Sequence, residues 1–225
     1  MAQLLQLTCP VCEAKKAFNY INHLNAQKDS DLKQQLLSGE LFRFECDECG
    51  AKRQLDMQFL YHDPAQKVMI FLLPEYRRDS EEVANILEEV MKAQTFSLAD
   101  YRLRIALHGT DLVEKVHIFD SGYDDREIEI VKLLTDGLFA QEKPTTPVKA
   151  RYFYLHQNEP KILYITDSEQ ILVDFHEKLL EFARTKFNKP LNQSYLGEFT
   201  LINHRYAMNV LEKKDGNPEH CEYLH

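Results

Sequence analysis

"LTCPVCEAKKAF" (residues 7–18) and "RFECDECGAKRQ" (residues 43–54) each carry a Cys-x-x-Cys pair, Cys9 with Cys12 and Cys46 with Cys49. The fold of the N-terminal half turns on how these pairs are read. Two residues between the cysteines let both sulfurs face one cation, while backbone N–H groups of the turn point at the sulfurs. Four thiolates arranged as a tetrahedron suit zinc, with Zn–S near about 2.3 Å. Gly50 follows the second pair, where a knuckle calls for left-handed backbone that glycine adopts without steric cost. Pro10 suits the first turn, because its fixed φ pre-forms the bend and it has no N–H to satisfy. The flanks "QLLQLT", "LFRFE" and "AKRQLDMQFLY" read as the strands of a ribbon.

Other readings of the pairs stand beside this one. A Cys-Pro-x-Cys pair also serves thioredoxin-like redox sites. Such a site starts a helix after a buried strand, whereas "QLLQLT" is short and alternates with polar residues, and the second pair would be left over. Disulfides and iron are the remaining alternatives. The 33 residues between the pairs exceed the roughly 15–20 of a simple ribbon, so the insertion must itself fold. "NAQKDSDLKQQLLSGELF" predicts a short helix there. Ser30 is the expected N-cap, Asp29 and Asp31 favour the helix start, Leu32, Leu36 and Leu37 form the apolar face, and Gly39 is the stop.

The same frame continues through "DLKQQLLSGELFRFECDECG", "FLYHDPAQKVMIFLLPE" and "RLRIALHGTDLVEKVHIFDSGYDDREIEIVKLL". Over roughly residues 6–135 this run resembles the CpXC domain, a bacterial and archaeal family named for its cysteine pairs. The cysteines alone mark metal knuckles in general; the DLVEK…DDREIEIVK block sharpens the resemblance. It implies a zinc-ribbon-bearing module and no particular activity. Two departures stand out. Glu13 rather than glycine follows Cys12, so the first knuckle is expected to close with a different backbone, and "CDEC" lacks the proline of the first pair.

Beyond the knuckles, "MQFLYHDPAQKVMIFLLPEY" reads as a β-hairpin turning at Asp63-Pro64. Asp79 and Glu82 would form a capping box for the helix "SEEVANILEEVMKAQ", with Val83, Ile86, Leu87, Val90 and Met91 as its stripe. "YRLRIALHG" is a strand. "TDLVEKVHIFDSG" is a helix capped by Thr110, with Leu112, Val113, Val116 and Phe119 facing inward. "DDREIEIVKLLTDGLF" is another, with Asp124 and Glu127 as its capping box. "AQEKPTTPVKA", residues 140–150, has two prolines and no apolar period, and reads as a linker. "RYFYLH" and "KILYITD" are strands joined by "QNEP". "SEQILVDFHEKLLEFARTKF" is expected as one helix capped by Ser168, and "GEFTLINHRYAMNVL" as a closing strand.

The expected architecture is α+β. Zinc-ribbon-like β knuckles with a helical insertion lead into a mixed α/β segment and then a C-terminal β-β-α-β unit. The expected boundaries are 1–139 for the first domain, 140–150 for a linker and 151–225 for a small C-terminal subdomain.

Composition narrows the function classes. At 44% hydrophobic and 11% aromatic residues the chain can pack a core, unlike a disordered polymer. A formal charge of −9 disfavours non-specific nucleic-acid binding, which runs on Lys and Arg. Lys15, Lys16, Lys52 and Arg53 beside the knuckles keep a local nucleic-acid surface open. No apolar run is long enough to span a membrane, and the N-terminus has no signal-peptide pattern. A reducing, cytoplasmic setting is therefore expected, where cysteine pairs serve metals or redox chemistry.

The acidic run Asp120, Asp124, Asp125, Glu127 and Glu129 suits helix capping and could also bind a hard cation or share proton work. Asp124, Asp125 and Arg126 are the candidates for a functional surface or a catalytic pocket. His220, Cys221 and His225 in the tail offer a weaker metal set. The histidines 62, 108, 117, 156, 176 and 204 are scattered singly and read as surface or packing residues. No phosphate loop, dinucleotide fingerprint, nucleophile elbow or HExxH is present. The expected function is a non-enzymatic module stabilised by one structural zinc ion and recognising a protein. An enzyme using Asp124, Asp125 and Arg126, and nucleic-acid binding through the ribbon, are the alternatives.

Overall fold

The structure, a computed structural model, describes residues 2–77 and 80–212. It is α+β, with small sheets and short to medium helices, and it divides into two compact units. The first comprises Met1–Val113 with Leu196–Phe199, the second Glu114–Tyr195 with Thr200–His225.

In the first unit, β1 (Ala2–Thr8) and β2 (Lys15–Ile21) form an antiparallel hairpin whose last pair, Thr8 and Lys15, brackets the first knuckle. β3 (His23–Asn25) and α1 (Ser30–Leu37) follow. β4 (Arg43–Glu45) and β5 (Lys52–Gln54) then make a second hairpin, closed by Glu45 and Lys52 around the second knuckle. β6 (Phe59–Asp63) and β7 (Val68–Leu72) form the expected antiparallel hairpin. After α2 (Glu81–Lys92) comes β8 (Arg102–Ala106). The strands β3, β6, β7 and β8 form one sheet in that order, with β3 parallel to β6 and β7 parallel to β8.

Parallel neighbours need a crossover. α2 lies in one, between β7 and β8. α1 and the second knuckle occupy the other, between β3 and β6, which accounts for much of the long cysteine spacing. Every residue of β7 is buried, as suits a central strand covered on both faces.

α1 starts one turn from a side chain that does not cap it. Asp29, at the N-cap, makes no side-chain cap bond to the helix and instead accepts the Asn25 N–H at 2.8 Å; Ser30 lies inside the first turn. The stop is as expected. Gly39 (φ +76) donates to the Leu36 carbonyl and Glu40 to that of Gln35, the paired bonds of a left-handed helix terminus. For α2 the cap is Ser80, whose side chain accepts from Val83 N–H; Asp79 lies outside the described residues.

α3 (Gly109–Asp120) runs into the second unit. Thr110 is within it rather than its cap. The first N–H groups are taken by Asp56, which accepts from Gly109 at 2.9 Å, and by Asp111, which accepts from His108 at 3.1 Å.

The second unit contains α4 (Asp125–Glu142), then β9 (Val148–His156), β10 (Glu159–Thr166) and β11 (Gln170–Asp174) as a three-stranded antiparallel sheet. The helices α5 (Glu177–Lys186), α6 (Asn188–Leu191) and α7 (His204–Leu211) complete it. α4 packs on α5, α7 and β9. Its core joins Ile130, Val131, Leu180, Ala183, Ile202, Tyr206 and Val210 on one side and Ile128, Phe139, Phe153, Ile162 and Tyr164 on the other.

Three expectations differ from this arrangement. The segment expected as one helix from Ser168 is a strand and then a helix. Thr166 Oγ1 accepts from the N–H groups of Ser168 and Glu169, closing a hairpin turn. β11 then pairs with β10, which puts Ile171 and Val173 against the core. Ile and Val two apart fit a pleated sheet at least as well as a helix face. The closing strand is α7 instead: Asn203 accepts from the N–H groups of Arg205 and Tyr206, and Tyr206, Ala207 and Val210 are buried at helical spacing. The order is therefore β-β-β-α-α-α rather than β-β-α-β. Finally, residues 140–150 hold the end of α4 and the start of β9. The contact division falls inside α3, because the inward face of α4 packs on elements that follow it in the chain.

Candidate metal centre

The two knuckles have the same backbone. Cys9 N–H donates to Ala14 O at 2.9 Å and Glu13 N–H to Cys9 O at 3.0 Å; Cys46 N–H donates to Ala51 O at 2.9 Å and Gly50 N–H to Cys46 O at 2.9 Å. Glu13 sits at φ +59 and Gly50 at φ +69. Glu13 thus adopts the left-handed conformation that its partner position fills with glycine, and the different backbone expected at the first knuckle is not found. The hydrogen-bond frame outweighs the steric preference of one side chain, which costs about 1–2 kcal/mol.

This geometry brings the four sulfurs together. All lie within 4.8 Å of one another. Cys9 Sγ is 3.7 Å from Cys49 Sγ, and Cys12 Sγ is 3.6 Å from Cys46 Sγ. The edge of a tetrahedron with bonds of about 2.3 Å is about 3.8 Å, so these separations fit a shared cation. All four are free thiols, Cys9 and Cys46 buried, Cys12 and Cys49 exposed. Phe44 is buried between the hairpins, with Leu7, Phe18 and Leu55 packed around it.

The electrostatics of the thiols match their crowding. Backbone N–H groups of Cys12 and Val11 face the Cys9 sulfur and lower its pKa to about 6. The Ala14 N–H acts the same way on Cys12, but the sulfurs of Cys49, Cys46 and Cys9, with partial desolvation, push it up to about 12. Cys49 is also raised: the Ala51 N–H and the Cys12 sulfur pull it down, but desolvation and the sulfurs of Cys9 and Cys46 outweigh them. Four sulfurs this close cannot all ionise alone; a bound cation removes that repulsion.

The basic residues beside the knuckles are partly engaged. Lys16 donates to Asp47 at 2.6 Å and to the Glu45 carbonyl at 2.6 Å, and Lys52 is 3.4 Å from Glu45. Lys15 and Arg53 are exposed. At the tip of the first knuckle Val11 is 71% exposed.

The acidic candidates are used in building the second unit. Asp124 caps α4 by accepting from Arg126 N–H, and it also receives the Arg126 guanidinium at 2.9 and 2.7 Å. Arg126 further donates to the Gln193 carbonyl at 2.8 Å and lies over the Tyr195 ring. Asp125 is fully buried and accepts from Lys115 at 2.8 Å, which also donates to the Ile202 carbonyl at 2.7 Å. Glu127 does not complete a capping box; it pairs with Arg184 through two bonds at 2.9 and 2.8 Å. The tail set His220, Cys221 and His225 lies outside the described residues.

Glu129 of the acidic run belongs to a charged cluster in the second unit whose other members, Glu114, Lys132, Asp136 and Arg151, the sequence pattern did not single out. Lys132 donates to Glu114 at 2.7 Å and to Glu129 at 2.8 Å, all three buried. Glu114 also accepts the Phe153 N–H at 2.5 Å. Burial pushes Glu114 up to about 7, against the pull of Lys132. Arg151 pairs with Asp136 at 2.9 Å and contacts His204. The signal was available: Glu129, Lys132 and Asp136 recur at i, i+3 and i+7 along α4, so polar residues share a helix face that packs inward.

Two β-hairpin knuckles thus gather four free thiols into one cluster that could hold a metal ion. The family model described as CpXC protein matches residues 7–132, more than half of the 225 residues, and the chain belongs to that family. No curated protein and no solved structure matches it. The four cysteines of this family member are placed closely enough to hold one metal ion. Among the described residues no helix is long and apolar enough to cross a membrane.

Proposed function

We propose that Cys9, Cys12, Cys46 and Cys49 hold one zinc ion whose role is structural, and that the chain is a non-enzymatic module recognising a protein. The observation that carries this is the gathering of four thiol sulfurs within 4.8 Å by two matched knuckles. Four thiolates on one ion leave no coordination position for water or substrate, so the ion supplies folding energy rather than Lewis-acid chemistry. The hairpins need such a clamp: β5 is exposed at all three residues, and the apolar cluster between them is small. The exposed Val11 at the knuckle tip supports a protein contact, while the pairing of Lys16 and Lys52 with acidic neighbours and the charge of −9 favour that over nucleic acid.

Elemental analysis of the purified chain tests the metal, with about one zinc per chain expected. A folded chain that holds no metal would overturn the reading. Partner recognition is tested by comparing Val11→Asp with the native chain in pull-downs from native cells. The variant is expected to lose the specific partner while keeping its zinc, and unchanged capture would overturn that part.

A further inference from the structure

The four sulfurs are not equivalent. In each knuckle the first cysteine is buried, Cys9 at 0% and Cys46 at 1% exposure, and the second, Cys12 or Cys49, is exposed. Each exposed sulfur has a buried sulfur of the opposite knuckle close beside it: Cys12 lies 3.6 Å from Cys46, and Cys49 lies 3.7 Å from Cys9. Exposure decides which thiols a small oxidant meets first, and a buried thiol of the opposite knuckle stands within reach of each of them.

We propose that the cysteine cluster is also an oxidation site, at which hydrogen peroxide converts the four thiolates into two crossed disulfides, Cys12–Cys46 and Cys9–Cys49, releasing the metal while keeping the two hairpins joined. The inference rests on the zinc reading above and adds a regulation of the same site. In the first step the exposed Cys12 sulfur, a thiolate while it is a zinc ligand, attacks the peroxide O–O bond, giving a sulfenic acid and hydroxide. The buried Cys46 thiolate then attacks the Cys12 sulfur, forming the S–S bond and expelling a second hydroxide. Two thiolates are oxidised by two electrons, and one peroxide is reduced to two hydroxides. Cys49 and Cys9 repeat the sequence with a second peroxide. With no thiolate left, the cation has no ligand. Cross-knuckle bonds span 34 and 40 positions of the chain, so they hold together what the metal held, whereas bonds within each knuckle would leave the hairpins free.

The test is titration of the reduced, zinc-loaded full chain with hydrogen peroxide. Cys221, outside the described residues, is first changed to Ser so that it offers no competing thiol. Zinc release is followed with a chromophoric chelator and the disulfides are mapped by peptide mass spectrometry. The expected result is release of one zinc for about two peroxides, with Cys12–Cys46 and Cys9–Cys49 as the dominant linkages and zinc rebinding after reduction. Dominant Cys9–Cys12 and Cys46–Cys49 linkages, or retention of zinc at ten equivalents of peroxide, would overturn the inference. Metal content is measured before oxidation, and a reduced metal-free sample is run alongside. Zinc present with intra-knuckle linkages refutes the oxidation site and leaves the zinc reading intact. Crossed linkages in a chain that binds no zinc refute the zinc reading and uphold the pairing of the thiols.

Discussion

The cysteine ribbon and the helical part of the second unit solve the same problem with different materials. The ribbon buries Cys9, Phe44 and Cys46 and little else, and two short hairpins are marginal in water by themselves. The region around α4 buries two apolar clusters and threads charged side chains through them, Lys115 with Asp125 and Lys132 with Glu114 and Glu129. On the zinc reading proposed above, one region depends on an ion from outside, the other on its own surface area and on charges that must stay matched. A fault in the ribbon should therefore be all-or-none and metal-dependent, whereas faults around α4 should be graded and pH-dependent.

The largest effect should come from the metal. Structural zinc is worth about 10–16 kcal/mol in small modules, so a strong chelator, or Cys46→Ser, should expose the amides of residues 2–21 and 43–54 to rapid hydrogen exchange. Amides of α4 and β10 should stay protected. Equal loss of protection in both regions would erase the contrast.

Next is Lys132→Met. It leaves Glu114 and Glu129 buried without their cation, a loss of roughly 3–5 kcal/mol, read by urea denaturation. The triple change that also makes Glu114 and Glu129 Gln should recover much of it, because the penalty lies in unmatched charge.

The pH dependence follows from Glu114. Its folded pKa of about 7 lies above its ordinary 4.5, because burial disfavours the charged form. The unfolded chain therefore gives up this proton first. Stability from this group is fully present below pH about 4.5, declines as pH rises towards 7 and levels off above it, by at most about 3 kcal/mol. Glu114→Gln should remove that decline while leaving metal binding unchanged.

The smallest effect should sit in the first knuckle. Glu13→Gly relieves left-handed strain of about 1–2 kcal/mol and gives back about 0.4–1 through the freer unfolded chain. A net gain between about 0 and about 1.6 kcal/mol is expected in metal-loaded stability. Gly50→Ala, at φ +69, should lose a similar amount. If both changes are neutral, the knuckle backbones are not held as tightly as their matched hydrogen bonds imply.

Where the sequence was legible, the signal was local. Cys-x-x-Cys spacing, Gly50 and Gly39 at positive φ, the β6–β7 hairpin and the Asp124 cap each depend on residues within a few positions of one another. The misread elements had two local solutions. Ile171 and Val173 fit a strand or a helix, and only pairing with β10 decided between them. Asn203, whose side chain caps α7, follows a run that looked extended, and Tyr206 and Val210 became a helix face because α4 lies across from α7.

By itself, the sequence determined that four cysteines stand in two Cys-x-x-Cys pairs, that the chain is α+β, and that charge and composition suit a folded acidic protein. Only the tertiary structure decided that the two knuckles meet, which sulfur faces which, that Glu13 copies Gly50, and that Asp125 is buried against Lys115 and Lys132 against Glu114 and Glu129. The reason is physical. Spacing and propensity act over a turn or two of chain, whereas the sulfur cluster and the buried ion pairs join residues up to 40 positions apart, whose meeting depends on how whole elements pack.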